Sequence, residues 1–142
     1  MSLTQEQRAD LLAACPLFQG IDAAGLARVA QVASAVDFPA GHVIARQGEI
    51  GTGFFVVVEG IVRVVRDGTV VARLGDGEFF GELSVLDRMP RNASVVAEAA
   101  TVCLALASWD FEQVLLEQPA LTLSILRGVA QRLRDVTEST RH

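Results

Sequence analysis

No stretch of this sequence reaches the roughly 18 consecutive apolar residues that a membrane-spanning helix requires, so no span is expected. Its start has no basic segment followed by an apolar run, which leaves no secretory signal to read. Cysteine is scarce: Cys15 and Cys103 stand far apart in apolar surroundings. They read as two buried thiols of a cytoplasmic protein rather than as a disulfide framework. Of two histidines, His42 is isolated beside a turn and His142 is the last residue. No His-x-His cluster, Cys-x-x-Cys pair or Gly-x-Ser-x-Gly elbow occurs, so no metal ligand and no catalytic residue is assigned. Excess positive charge is missing too, the net charge being −5. The chain by itself does not attract nucleic acid. A small anionic ligand would need a local cluster of donors. No internal repeat or low-complexity linker stands out.

What is present fits one domain over residues 1–142, long enough to bury a core. The first part reads as helix: Leu11 and Leu12 follow a polar stretch, and Pro16 ends that segment by removing a donor. Asp22 is an N-cap residue for a second helix, Ala23 to Ser34, with Leu26, Val29, Ala30 and Ala33 on one face. Pro39-Ala40-Gly41 is a turn. From there the chain breaks into short apolar runs rich in β-branched residues: Val43–Ala45, Phe54–Val58, Ile61–Val65, Val70–Leu74, Ser94–Ala97 and Val102–Leu106. Asp67-Gly68 between two runs is a hairpin signal. Strands so spaced, with no helical crossovers between them, point to a sandwich or barrel rather than a parallel sheet.

The last part is helical again. Ser108 caps a helix to about Glu117, Pro119 interrupts, and a second helix runs from about Ala120 to Val136. Its Leu126, Val129, Leu133 and Val136 form one stripe, open to core packing, dimer contact or ligand capping. The expected class is α+β: an antiparallel β-roll (a double-stranded β-helix or jelly roll) over 36–107, between N-terminal helices in 1–35 and C-terminal helices in 108–142.

The stretch Phe80 to Val95 lies between strand runs and is too long for a hairpin turn. Gly81 permits close backbone approach. Glu82 follows between Phe79, Phe80 and Leu83, in a half-buried setting. Residues 82–86 make one helical turn whose free amides form an anion site. Met89-Pro90 stops the turn, and Arg91 follows. A guanidinium offers two parallel donors to a phosphate, which lysine cannot. Glu82 and Arg91 have two uses: they pair with each other, or they divide a ligand between sugar hydroxyl and phosphate. Gly75-Asp76-Gly77 with Gly81 has the wrong spacing for a dinucleotide fingerprint.

The stretch resembles the phosphate-binding cassette of the cyclic-nucleotide-binding family, which includes kinase regulatory subunits, cyclic-nucleotide-gated channels and catabolite activator proteins. The matching residues are Phe80-Gly81-Glu82-Leu83-Ser84 and Pro90-Arg91-Asn92-Ala93-Ser94-Val95. Upstream, Gly48-Glu49 and Phe54 to Gly60 resemble the family's glycine turn and third strand. The resemblance implies that Glu82 accepts the ribose 2′-hydroxyl and that Arg91 pairs with the cyclic phosphate. It also implies that the amides of Ser84 and Asn92, with Gly81 and Leu83 nearby, line the sugar-phosphate. Ala93 and Ser94 complete the cassette, Val62 and Val64 touch the base, and the C-terminal helix is the lid. Thr52 stands where the family often has aspartate. Asn92 carries both donor and acceptor and matches neither the cAMP nor the cGMP habit, so family frequency alone favours cAMP.

The resemblance thus implies a sensor, not an enzyme, with cAMP or cGMP as ligand and no further cofactor. The expected partners are the cyclic nucleotide, a second copy through the C-terminal helix, and a downstream effector. Two alternatives stay open: a degenerate fold kept as an interaction scaffold, and the sensor piece of a longer transcription factor, enzyme, transporter or channel. A cupin-type enzyme would need clustered histidines, and a DNA reader would need a helix-turn-helix after the lid helix.

Overall fold

The computed structural model of the chain describes residues 3–51 and 53–139, the side chains of Leu83 and Ser139 excepted. Two helices lead, α1 (Gln5–Ala13) and α2 (Ala23–Val32), joined through a 3-10 turn over Pro16–Phe18. Asp22 caps α2 as its sequence suggests, accepting from the Gly25 amide at 2.7 Å. The helix stops at Val32, short of the expected Ser34. Ser34–Phe38 is instead a strand, β1. Its ladder with the last strand runs from Ser34↔Ala105 to Phe38↔Thr101, and that pairing overrides the helical propensity of the alanines.

Seven more strands follow: β2 (Val43–Ala45), β3 (Gly53–Glu59), β4 (Val62–Arg66), β5 (Thr69–Leu74), β6 (Phe79–Phe80), β7 (Ser94–Ala97) and β8 (Thr101–Ala107). They make two antiparallel sheets, β1-β8-β3-β6 and β2-β7-β4-β5. The pairs β1–β8, β2–β7, β3–β6 and β4–β5 are nested, as in a jelly roll. Asp67 (φ 52°) and Gly68 (φ 80°) both adopt the left-handed region, giving β4–β5 the mirror-image turn its sequence calls for. The strand β6 has no counterpart among the apolar runs. It is two residues long, paired as Phe55↔Phe80 and Val56↔Phe79, too short to show a period.

One core lies between the helices and the first sheet, around Leu12, Phe18, Val29, Phe54, Leu104 and Phe111. Phe54 and Phe111 stack at 4.2 Å. A second core fills the space between the sheets with Val57, Val62, Phe80, Val95 and Cys103. Both cysteines are buried and free, and desolvation pushes the Cys103 thiol up to about 12. Helix α3 (Glu82–Asp87) interrupts the roll between β6 and β7, and α4 (Ser108–Glu117) and α5 (Pro119–Ser139) close the chain. Ser108 is the first residue of α4 rather than its cap, the N-cap position being Ala107. Among the described residues, no helix is long and apolar enough to cross a membrane.

Candidate functional site

Gly81 opens the site. Its φ is 94°, and a Cβ there would lie 2.6 Å from the Gly53 carbonyl oxygen. Only glycine serves here, because both the dihedral and the close approach exclude a side chain. The turn it makes starts α3 and sends Glu82 inward, where it is 2% exposed. Ser84 ties α3 to the preceding loop: its hydroxyl accepts from the Gly51 amide at 2.8 Å and donates to the Met89 carbonyl at 2.7 Å. Arg88 ends the helix in the left-handed region, donating its amide to the Ser84 carbonyl.

The backbone of Arg91 is held on both sides by the loop between β2 and β3. The Gly48 amide donates to the Arg91 carbonyl and the Arg91 amide to the Glu49 carbonyl, each at 2.8 Å. The Arg91 side chain donates from Nη2 to the Gly53 carbonyl at 3.1 Å. A Cβ on Gly51 would come within 2.3 Å of that nitrogen, so the loop leaves the guanidinium room that a side chain would take. Burial pushes the Arg91 pKa down from its ordinary value, and the charge on Glu82 pushes it back up. The group stays cationic at any working pH.

Glu82 does not pair with Arg91. Its Oε1 accepts from Arg132 Nη1 on α5 at 2.5 Å. Arg132 also donates to the Phe79 carbonyl and lies over the Phe79 ring, 4.2 Å from its centroid. The helix comes close enough for this because residue 128 is glycine: a Cβ there would be 2.9 Å from the Phe79 ring. Charge, hydrogen bond and cation–π contact therefore converge on one residue of α5. Replacing Arg132 with alanine should free the end of α5. Amide exchange over residues 128–139 should quicken about tenfold, the equivalent of ~1.4 kcal/mol, while the roll keeps its protection. Unchanged exchange would show that the contacts hold nothing.

Glu82 and Arg91 face a common cavity of about 690 Å³, within the usual range for small-molecule sites. Gly81, Ser84, Asn92 and Ala93 line it with them. Val64, Val71, Ala72 and Leu74 of β4 and β5 form its apolar wall, and Arg132, Asp135 and Val136 come from α5. Two expected residues stand apart. Val62 is 0% exposed and belongs to the core between the sheets. The Ser94 hydroxyl accepts from the Gln47 amide at 2.9 Å, away from the cavity lining. Leu83 is the second residue of α3, and Thr52 lies outside the described residues. Arg132 and Asp135 were not singled out in the sequence. The signal was available: an arginine between Val129 and Val136, at spacings of 3 and 4, on the helical face the stripe defines. Leu126 and Leu133 of that stripe point outward, 59% and 67% exposed.

A jelly roll closed by a terminal helix, with a carboxylate and a guanidinium set around one short helix at a shared cavity, defines a class. The cyclic nucleotide-binding domain family matches residues 35–118, and the chain belongs to it. It is 39% identical over 129 residues to a cyclic nucleotide-gated potassium channel of Mesorhizobium japonicum, covering 91% of this chain and 36% of the channel. To a CRP-like cAMP-activated global transcriptional regulator of Mycobacterium tuberculosis it is 32% identical, covering 88% of this chain and 58% of the regulator. The Thermus thermophilus catabolite activator protein superposes with a TM-score of 0.80 at 32% identity, over 87% of this chain and 61% of that one. The chain thus spans less than two thirds of each of these relatives. They are a potassium channel, a transcriptional regulator and a catabolite activator protein.

Proposed function

We propose that this domain is a sensor that binds a cyclic nucleotide, cAMP in preference to cGMP, and does no chemistry of its own. The observation that carries the reading is that Glu82 and Arg91 face one cavity without being paired to each other. The alternative use weighed for them, a mutual ion pair, is not the one they adopt. In this reading Glu82 accepts the ribose 2′-hydroxyl and Arg91 pairs with the cyclic phosphate. The amides of Ser84 and Asn92, beside Gly81, Leu83 and Ala93, line the sugar-phosphate. Val64 touches the base, while Val62 and Ser94 serve behind the cavity as core and loop anchor. Helix α5 caps the ligand and moves when it binds, giving an attached effector two states. The exposed Leu126 and Leu133 would carry contact with a second copy. Buried free thiols suit a reducing compartment, which supports a cytoplasmic location.

Calorimetric titration with cAMP and with cGMP tests this. Heat of binding with cAMP is expected, and weaker binding with cGMP. No heat with either, in folded protein freed of carried-over nucleotide, would overturn the reading in favour of a scaffold that kept the fold and lost the ligand. The same titration on Asn92→Ala and Asn92→Thr reads base choice. Asn92 lines the cavity with an exposed amide, so the cAMP/cGMP affinity ratio should change in at least one variant. A ratio unchanged in both would remove Asn92 as a selector.

A further inference from the structure

The apolar wall of the cavity sits on a hairpin with one free side. Within its sheet β5 is an edge strand whose one neighbour is β4, yet it supplies Val71, Ala72 and Leu74 to the cavity. The root of the hairpin is held by β4–β7 pairing, which extends to Val65↔Ser94. Arg66, Asp67 and Gly68 project beyond it. There a side chain from the other half of the site meets the tip. Gln47 Nε2 donates to Asp67 Oδ1 at 2.8 Å, and the Asp67 amide donates to Gln47 Oε1 at 3.0 Å. Both polar ends of one carboxamide are thus spent on one turn residue.

Gln47 belongs to the loop that fixes the Arg91 backbone through Gly48 and Glu49, and its own amide donates to Ser94. A second strap runs parallel, from Arg66 Nε to the Asn92 carbonyl at 3.3 Å. The loop that sets the position of the anion-binding arginine is therefore hydrogen-bonded to the tip of the hairpin that bears the apolar wall.

We propose that Gln47 is a positioning residue that, through Asp67, sets the wall formed by Val64, Val71 and Ala72 at a fixed distance from Arg91. It touches no ligand. This rests on the nucleotide-binding reading, and it adds that the base end and the phosphate end of the cavity are registered by one exposed carboxamide. A ligand that spans both ends profits from the registration, and one that occupies only the phosphate end does not.

The test is a charge exchange on the intact chain. Gln47→Glu sets two carboxylates face to face and removes the donor to Asp67. Adding Asp67→Asn supplies a side-chain NH2 donor at position 67 beside the backbone amide, and the carboxylate introduced at position 47 accepts from both. Asparagine also suits the left-handed turn position, so the hairpin itself is undisturbed. Affinity is measured for cAMP and, by NMR titration, for the base-free cyclic phosphate of methyl riboside, and melting temperature is recorded for each variant. The single change should lower cAMP affinity about fivefold, as two exposed hydrogen bonds allow. It should leave the base-free probe unchanged, and the double change should restore cAMP binding. Equal losses for both probes, or no rescue in a double variant that melts like the parent, would overturn the positioning role. A parent protein that binds neither probe would overturn the nucleotide-binding reading and this inference with it.

Discussion

Arg91→Ala should lower affinity for a cyclic nucleotide at least tenfold, the largest loss expected from any single change in this domain. A phosphate held by the guanidinium fork is held by charge-assisted hydrogen bonds, each worth roughly 1.5–3 kcal/mol, and ~1.4 kcal/mol is already a factor of ten. Little of that loss should come from unfolding. The side chain gives the fold one hydrogen bond, to the Gly53 carbonyl, and the backbone pairing with Gly48 and Glu49 does not need it. Arg91→Lys keeps the charge and loses the fork, so it should recover only part of the affinity. Calorimetry beside thermal melting separates the two causes. A loss well under tenfold in a variant that melts normally would mean that Arg91 is not the phosphate ligand.

Glu82→Gln should produce the second-largest effect, and its signature is selective. One carboxylate oxygen is engaged by Arg132, which leaves the other for a hydroxyl donor. Neutralising the group weakens a hydrogen bond that the charge had roughly doubled in strength, so cAMP affinity should fall about tenfold. The 2′-deoxy analogue has no hydroxyl to lose and should suffer less, keeping only the indirect loss that comes from loosening Arg132. Competition titrations with the two nucleotides on parent and variant give the comparison. Equal losses for both would take the ribose role away from Glu82.

The cassette was legible because its parts are local. Gly81, Pro90 and Arg91 lie within sixteen residues of chain, and each residue type answers to a backbone dihedral, a helix stop or the anion that the cassette is proposed to bind. The hairpin at Asp67-Gly68 was legible for the same reason, since left-handed dihedrals at two successive residues narrow the choice of side chains. What escaped was set by distant partners. Ser34, the first residue of β1, reads as the end of a helix until β8 is there to pair with it. Arg132 meets Glu82 from fifty residues away: its spacing from Val129 and Val136 puts it on the face of the stripe, but names no partner for it. Alternation places Val62 and Val64 on the same inward face. It does not say that Val62 lies sealed between the sheets while Val64 reaches the cavity. Ser94 was assigned by its place in a motif, whereas its hydroxyl serves the Gln47 amide.

The nested order of strand pairs also bears on how the chain acquires its shape. The innermost pair, β4–β5, closes a two-residue turn and costs little loop entropy. Once it exists, it shortens the path between the strands outside it, and the pairs that remain to be made grow more distant in sequence, ending with Ser34↔Ala105. Long-range pairing of this kind is intrinsically slow. During synthesis, β1 is not fully paired until the ribosome has released residues 101–105. Until then the segment is an incompletely paired edge with an apolar face, and the helices that pack on the first sheet have no complete surface to dock on. By the measure of loop entropy the Asp67-Gly68 turn is the cheapest closure in the roll and the pairing of Ser34 with Ala105 the most costly.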